Sequence, residues 1–264
     1  MTALKVLLYL LLSQFFLVDS LAQDRDRWAK PDYILASFIE IALKNEYSTA
    51  PKRISKWTTA INYHFVHRIA DQALHERLTK MHLDHLADIS GISFNEVKLK
   101  KNANLLIIFS TENRLEQELL QEFNIQSLKQ RKYLFHNSVC LAHYSTHKNG
   151  SIKKAIVIIP VDRARAHAKL ISCIVEELTQ VMGLANDSDK VFPSVFNDNS
   201  YNDLLTGLDY ILLKILYHPK VKVGTSINEL KPILKNVIKS MEKQGVISNA
   251  EEKVIRGELY PLLN

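Results

Sequence analysis

Cys173-Ile174-Val175-Glu176-Glu177-Leu178-Thr179-Gln180-Val181-Met182-Gly183-Leu184-Ala185-Asn186 is the stretch on which the reading of this chain turns. Leu170, Ile171, Ile174, Val175, Leu178, Val181 and Met182 recur at three- and four-residue steps, the signature of a helix with one buried face. Asp162 offers a cap before it and Gly183 a stop after it, so a single helix is predicted over 162–182. Cys173, Glu176, Glu177 and Gln180 share one contiguous patch of that helix. Glu177 also borders the apolar stripe, where a carboxylate needs a partner or carries a raised pKa. A titratable patch of this kind is a candidate site.

Working outward, 31–46 carries a second helical stripe through Ile34, Phe38 and Ile41, and 57–66 alternates as a strand does. A helix is expected at 71–86, a buried strand at 104–110 and a helix at 111–123. Two β-like runs, 139–145 and 152–159, flank His147-Lys148-Asn149-Gly150, a hairpin signal. Thr206 with Asp209, and Ser226 with Glu229, have the spacing of capping boxes that open C-terminal helices. Asn186, Asp187, Asn197 and Asp198 are residues that commonly satisfy loop backbone. These elements predict an α+β fold: a single domain with a mixed sheet, the 162–182 helix and C-terminal helices.

With 47% hydrophobic and 23% charged residues in 264, the chain is neither disordered nor fibrous, and it can bury a sizeable core. Residues 1–22 combine Lys5, a short apolar run and Ser20-Leu21-Ala22, the layout of a secretory signal peptide. The run is too short and too interrupted for a comfortable membrane span, and none is expected once it is removed. An exported protein, periplasmic or secreted, is therefore expected. The division is signal 1–22, N-terminal helical extension 23–49, domain 50–245 and C-terminal tail 246–264. Export permits a Cys140–Cys173 disulfide, closing a loop of about 33 residues. The competing role, a catalytic thiol, has no base marked beside it.

The net charge of +6 comes from scattered Lys and Arg. No basic helix or aromatic-interleaved strand accompanies it, so nucleic acid is not an expected partner. His82 and His85 share a helical face, His64 and His67 do not, and His143 and His147 straddle the hairpin. None has a third ligand at a recognisable spacing, so these read as ordinary surface histidines.

The quoted stretch is similar in spacing to the zinc peptidases of the metzincin kind, which place two His four apart, a general-base Glu between them, then a Gly and a third ligand. Here Glu177 and Gly183 keep the expected identities, while the three ligand positions hold Glu176, Gln180 and Asn186. Ser194-Val195-Phe196 falls where a Met-containing turn is expected. One carboxylate and two amides make a poor zinc site.

Lys56-Trp57-Thr58, the 104–109 and 152–160 runs, the 173–180 stretch, 183–188, 194–198, 205–209 and 216–219 together resemble the bacterial family known as domain of unknown function 2927, over roughly 50–240. That resemblance implies a zincin-like fold and a secreted setting, with no established activity. The expectation is a non-catalytic, pseudopeptidase-like binding or accessory module of the cell envelope, with an unidentified protein or envelope component as partner. Glu176, Gln180, Asn186 and Asp187 are expected around its cleft, with neither metal nor other cofactor bound. One alternative is a hydrolase using Glu177 as general base with a divalent cation held by atypical ligands. Another is a protein that binds envelope polysaccharide.

Overall fold

Leu105 to Ser110 and Ala155 to Pro160 are buried at every position, as strands covered on both faces must be. They are the two central strands of a five-stranded sheet. The computed structural model describes residues 27–44 and 52–263; the signal-like segment 1–22 lies outside the described residues. In chain order the strands are β1 (Ile61–His67), β2 (Phe94–Glu96), β3 (Leu105–Ser110), β4 (Leu141–Thr146) and β5 (Ile152–Pro160), arranged β2-β1-β3-β5-β4. All neighbouring pairs are parallel except β4–β5. The fold is thus α+β with a mixed sheet, and β4 is its antiparallel edge.

The pleat sends alternate residues of the central strands to opposite faces. Leu105, Ile107, Phe109, Val157 and Ile159 enter the larger core. It is covered by helices α1 (Pro31–Leu43), α2 (Gln72–Ser90), α6 (Leu170–Gln180), α7 (Gly207–Leu216) and α8 (Ile227–Lys243). Leu106, Ile108, Ile156 and Ile158 enter a smaller core beneath α3 (Leu115–Gln121) and α4 (Leu128–Asn137). The short helices α9 (Ala250–Val254) and α10 (Tyr260–Leu263) follow, and Ala250, Val254 and Leu259 join the larger core. Both expected capping boxes form, Thr206 with Asp209 and Ser226 with Glu229. The Asn-Gly hairpin joins β4 to β5, with Asn149 Oδ1 accepting from the Ser151 N–H at 3.0 Å.

The structure corrects the single helix expected over 162–182. The chain instead forms α5 (Val161–Ala166), breaks, and restarts as α6. At the break Ala168 adopts a left-handed backbone, φ 54°. Asp162 is not the cap of a long helix: its Oδ1 accepts the backbone N–H groups of Glu112 at 2.8 Å and Arg163 at 3.0 Å. The first strand starts later than its alternation implies, at Ile61. Trp57 has left the sheet to donate its indole N–H to Val181 O at 2.8 Å. The helix expected over 111–123 begins as a 3-10 turn, Glu112–Arg114, and becomes α-helical only at Leu115. Among the described residues no helix is long and apolar enough to cross a membrane.

Candidate functional site

The far end of α6 is clamped by the residues around it. A Cβ at Gly183, φ 117°, would stand 2.0 Å from Ser55 O, so only glycine fits where the helix must stop. Tyr217 donates its hydroxyl to Met182 O at 2.8 Å. Lys56 Nζ donates to Leu216 O at 2.8 Å and Val221 O at 2.7 Å, near the end of α7. Burial, with Lys222 nearby, brings Lys56 down to about 8. Near its start α6 is tied by a Cys140–Cys173 disulfide, Cα–Cα 5.8 Å, to the residue just before β4.

Between these ties α6 forms one wall of a cleft of about 460 Å³. It contributes Ser172, Glu176, Glu177 and Gln180, with Lys169 at its N-cap; 169, 172, 176 and 180 are spaced by three or four residues and Glu177 follows Glu176. Across the opening stand Tyr133, Leu134 and Asn137 of α4, helped by Phe123 and Ile125. Between the walls runs β4, whose outer edge pairs with no other strand among the described residues. Leu141 belongs to the smaller core, while Ala142 and Tyr144 pack against the larger one, yet all three line the cleft. The cleft therefore follows the open edge of the strand and touches both of its faces.

The rest of the rim is the 184–206 loop, and its shape explains which of its polar residues reach the cleft. Asn186 is 5% exposed and donates its side-chain amide to Glu40 O of α1 at 3.1 Å, turning away from the cleft. Asn197 donates to Val191 O at 3.0 Å. Asp209 is buried and accepts from Ser194 Oγ at 2.6 Å, Thr206 N–H at 2.8 Å and Val195 N–H at 3.1 Å. Burial raises Asp209 to about 6 against the pull of those donors. Held in this way, the loop presents Asp187 and Asp198 to the cleft. Gln180 Nε2 donates to Asp187 Oδ1 at 2.8 Å, which fixes Asp187 beside the turn of α6 that carries Glu176.

Of the residues singled out from the sequence, Glu176, Glu177, Gln180 and Asp187 meet in one cleft and Asn186 does not. Glu177 is 5% exposed. Glu176 is held well above the usual carboxylate range, first by burial, then by Asp187 and Asp198, with Lys169 pulling the other way and Asp209 adding a smaller push. Among the described residues no group of three or more His, Cys, Asp or Glu is arranged to hold a metal ion. His82 is a buried core residue rather than the surface histidine expected, with Nε2 3.0 Å from Thr179 Oγ1, and burial lowers it to about 3. The sequence reading passed over α4 and its Tyr133. The one local signal was Ser127, whose Oγ accepts the Gln130 N–H at 3.3 Å as an N-cap.

The family described as Protein of unknown function (DUF2927) matches residues 31–236. No curated protein matches the chain.

Proposed function

The chain belongs to the DUF2927 family of proteins of unknown function, and from that premise we propose that it is an exported, non-catalytic binding module of the cell envelope that takes an extended segment of a partner chain along β4. The observation that carries this reading is the cleft of about 460 Å³ along the edge of β4 that no described strand pairs with. An edge strand offers a row of backbone donors and acceptors, and pockets on either side give side-chain selectivity. A zincin-like origin for the fold is supported by the spacing of Glu176, Gln180, Gly183 and Asn186 and by a mixed sheet whose edge strand lies beside the motif helix.

The chemistry of the donor set supports binding rather than hydrolysis. Gln180 and Asn186 are neutral amides already engaged with Asp187 and Glu40. The test uses the full chain, purified without chelator, and the strand-forming peptide acetyl-Thr-Val-Lys-Val-Thr-amide. The expected result is slowed amide exchange in Leu141–Thr146 with the peptide recovered intact. Cleavage of the peptide, or a stoichiometric divalent metal lost in Glu176→Ala, would overturn it in favour of a hydrolase with Glu177 as general base. Protection by an acidic glycan and by no peptide would overturn it in favour of polysaccharide binding.

A further inference from the structure

The cleft has the opposite sign to the protein around it. In a chain of net charge +6, its described lining residues bring together the carboxylates of Glu176, Glu177, Asp187 and Asp198, with Lys169 the one Lys or Arg among those lining residues. Lys169 is itself drawn toward Asp203, 3.8 Å away. A second, independent observation concerns a neutral group. Ser172 lines the cleft one turn before Glu176 and is 7% exposed, and its hydroxyl has no hydrogen-bond partner among the described residues. That hydroxyl opens into the cleft, where it can bond to a bound group. A third is aromatic. Tyr133, 56% exposed, and Tyr144 line the cleft, and Lys52 Nζ stands 5.3 Å over the Tyr144 ring.

Carboxylates together with tyrosine rings are the surroundings an organic cation prefers, through charge-assisted hydrogen bonds and contact with ring faces. A metal ion asks for something else, donors converging at about 2.0–2.6 Å. No three such groups converge among the described residues. An ammonium or guanidinium, larger and reaching outward with several N–H donors, suits the wider spacing.

Resting on the peptide-binding reading above, we propose that the cleft selects a segment carrying a basic side chain, whose ammonium or guanidinium seats against Glu176 between Asp187 and Asp198. The Ser172 hydroxyl then accepts a donor from the same segment. The acidic cleft gives selectivity that the overall charge of the protein opposes.

The test compares three peptides, acetyl-Thr-Val-Xaa-Val-Thr-amide with Xaa as Lys, Gln or Glu, titrated into the full chain at fixed ionic strength. The Lys peptide is expected to bind about tenfold or more tighter than the Gln peptide, a difference of about 1.4 kcal/mol, and the Glu peptide weakest. In Glu176→Gln, and independently in Asp198→Asn, the preference for Lys over Gln should shrink toward unity. Equal binding of Lys and Gln peptides would overturn the charge selection and leave the peptide-binding reading intact. Binding by none of the three would overturn both. Calcium alone binding at micromolar concentration and displacing the Lys peptide would assign the carboxylates to a metal and overturn the proposal.

Discussion

Glu176 is where the site works against the fold. Its pKa is raised by burial and by the carboxylates of Asp187 and Asp198, so the folded chain holds this proton to higher pH than the unfolded one. The contribution to stability is then fully present below the unfolded value near 4.5 and lost as pH rises through the folded one. Glu176→Gln removes that loss. At pH 7 the variant should be more stable by about 0.5–2 kcal/mol, or about 2–4 °C in melting temperature per kcal/mol. The advantage should fade as pH falls toward 4. Lys169 and Asp209 also act on this group, and buried His82, lowered to about 3, destabilises the wild type in acid. The informative quantity is therefore the difference between the two melting curves across pH, and a variant less stable at pH 7 would contradict the argument. Asp209 has a raised pKa too, but its role is structural. Asp209→Asn turns one acceptor of the Val195 and Thr206 N–H groups into a donor or costs the Ser194 bond. A loss of about 2–4 kcal/mol is expected in chemical denaturation, with the 184–206 rim loosened.

Among the elements, those with local causes could be read from the sequence. Continuous apolar runs announced β3 and β5, Asn149-Gly150 announced the hairpin, and two Ser/Thr-to-acid spacings announced α7 and α8. The break between α5 and α6 could not be read, because 163–169 contains only residues that helices accept and neither Gly nor Pro. There Ala168 is held at φ 54°, a conformation that costs an L-residue about 1–2 kcal/mol. Ala168→Gly relieves that cost while adding freedom to the unfolded chain. It should stabilise by about 0.5–1 kcal/mol in urea unfolding, where an Ala-to-Gly change inside a continuous helix would do the reverse. The α6 wall of the cleft was legible through its spacing; the opposite wall was not. Of α4 only Leu134 is buried, too little apolar periodicity to mark a short helix. Nor could spacing tell Asn186 from Asp187. Asn186 is bonded to Glu40, so which neighbour faces the cleft is decided by a contact with α1 far back in the chain.

At the scale of the whole molecule, the cleft lies between two cores that face opposite sides of one sheet. One wall, α6 with its loop, belongs to the larger core, and the other, α4, to the smaller. Within the larger core, what fixes α6 against the start of β4 is their packing and one covalent tie. Cys140–Cys173 is that tie, joining the residue before β4 to the first turn of α6 across a separation of 33 residues. Cross-linking a loop of that length stabilises a fold by about 3–4 kcal/mol in the chain-entropy model. Replacing both cysteines by serine should thus lower the melting temperature by about 6–15 °C. The far-UV circular dichroism at 25 °C should remain native, because neither core loses a large apolar group. The functional consequence should exceed the thermodynamic one. At a temperature where the variant is still folded, the Lys peptide should bind it more weakly than it binds the oxidised parent, because Glu176 and β4 no longer keep a fixed separation. Unchanged affinity in a demonstrably destabilised variant would mean that the two cores hold the cleft open by packing alone, and that the disulfide serves stability only.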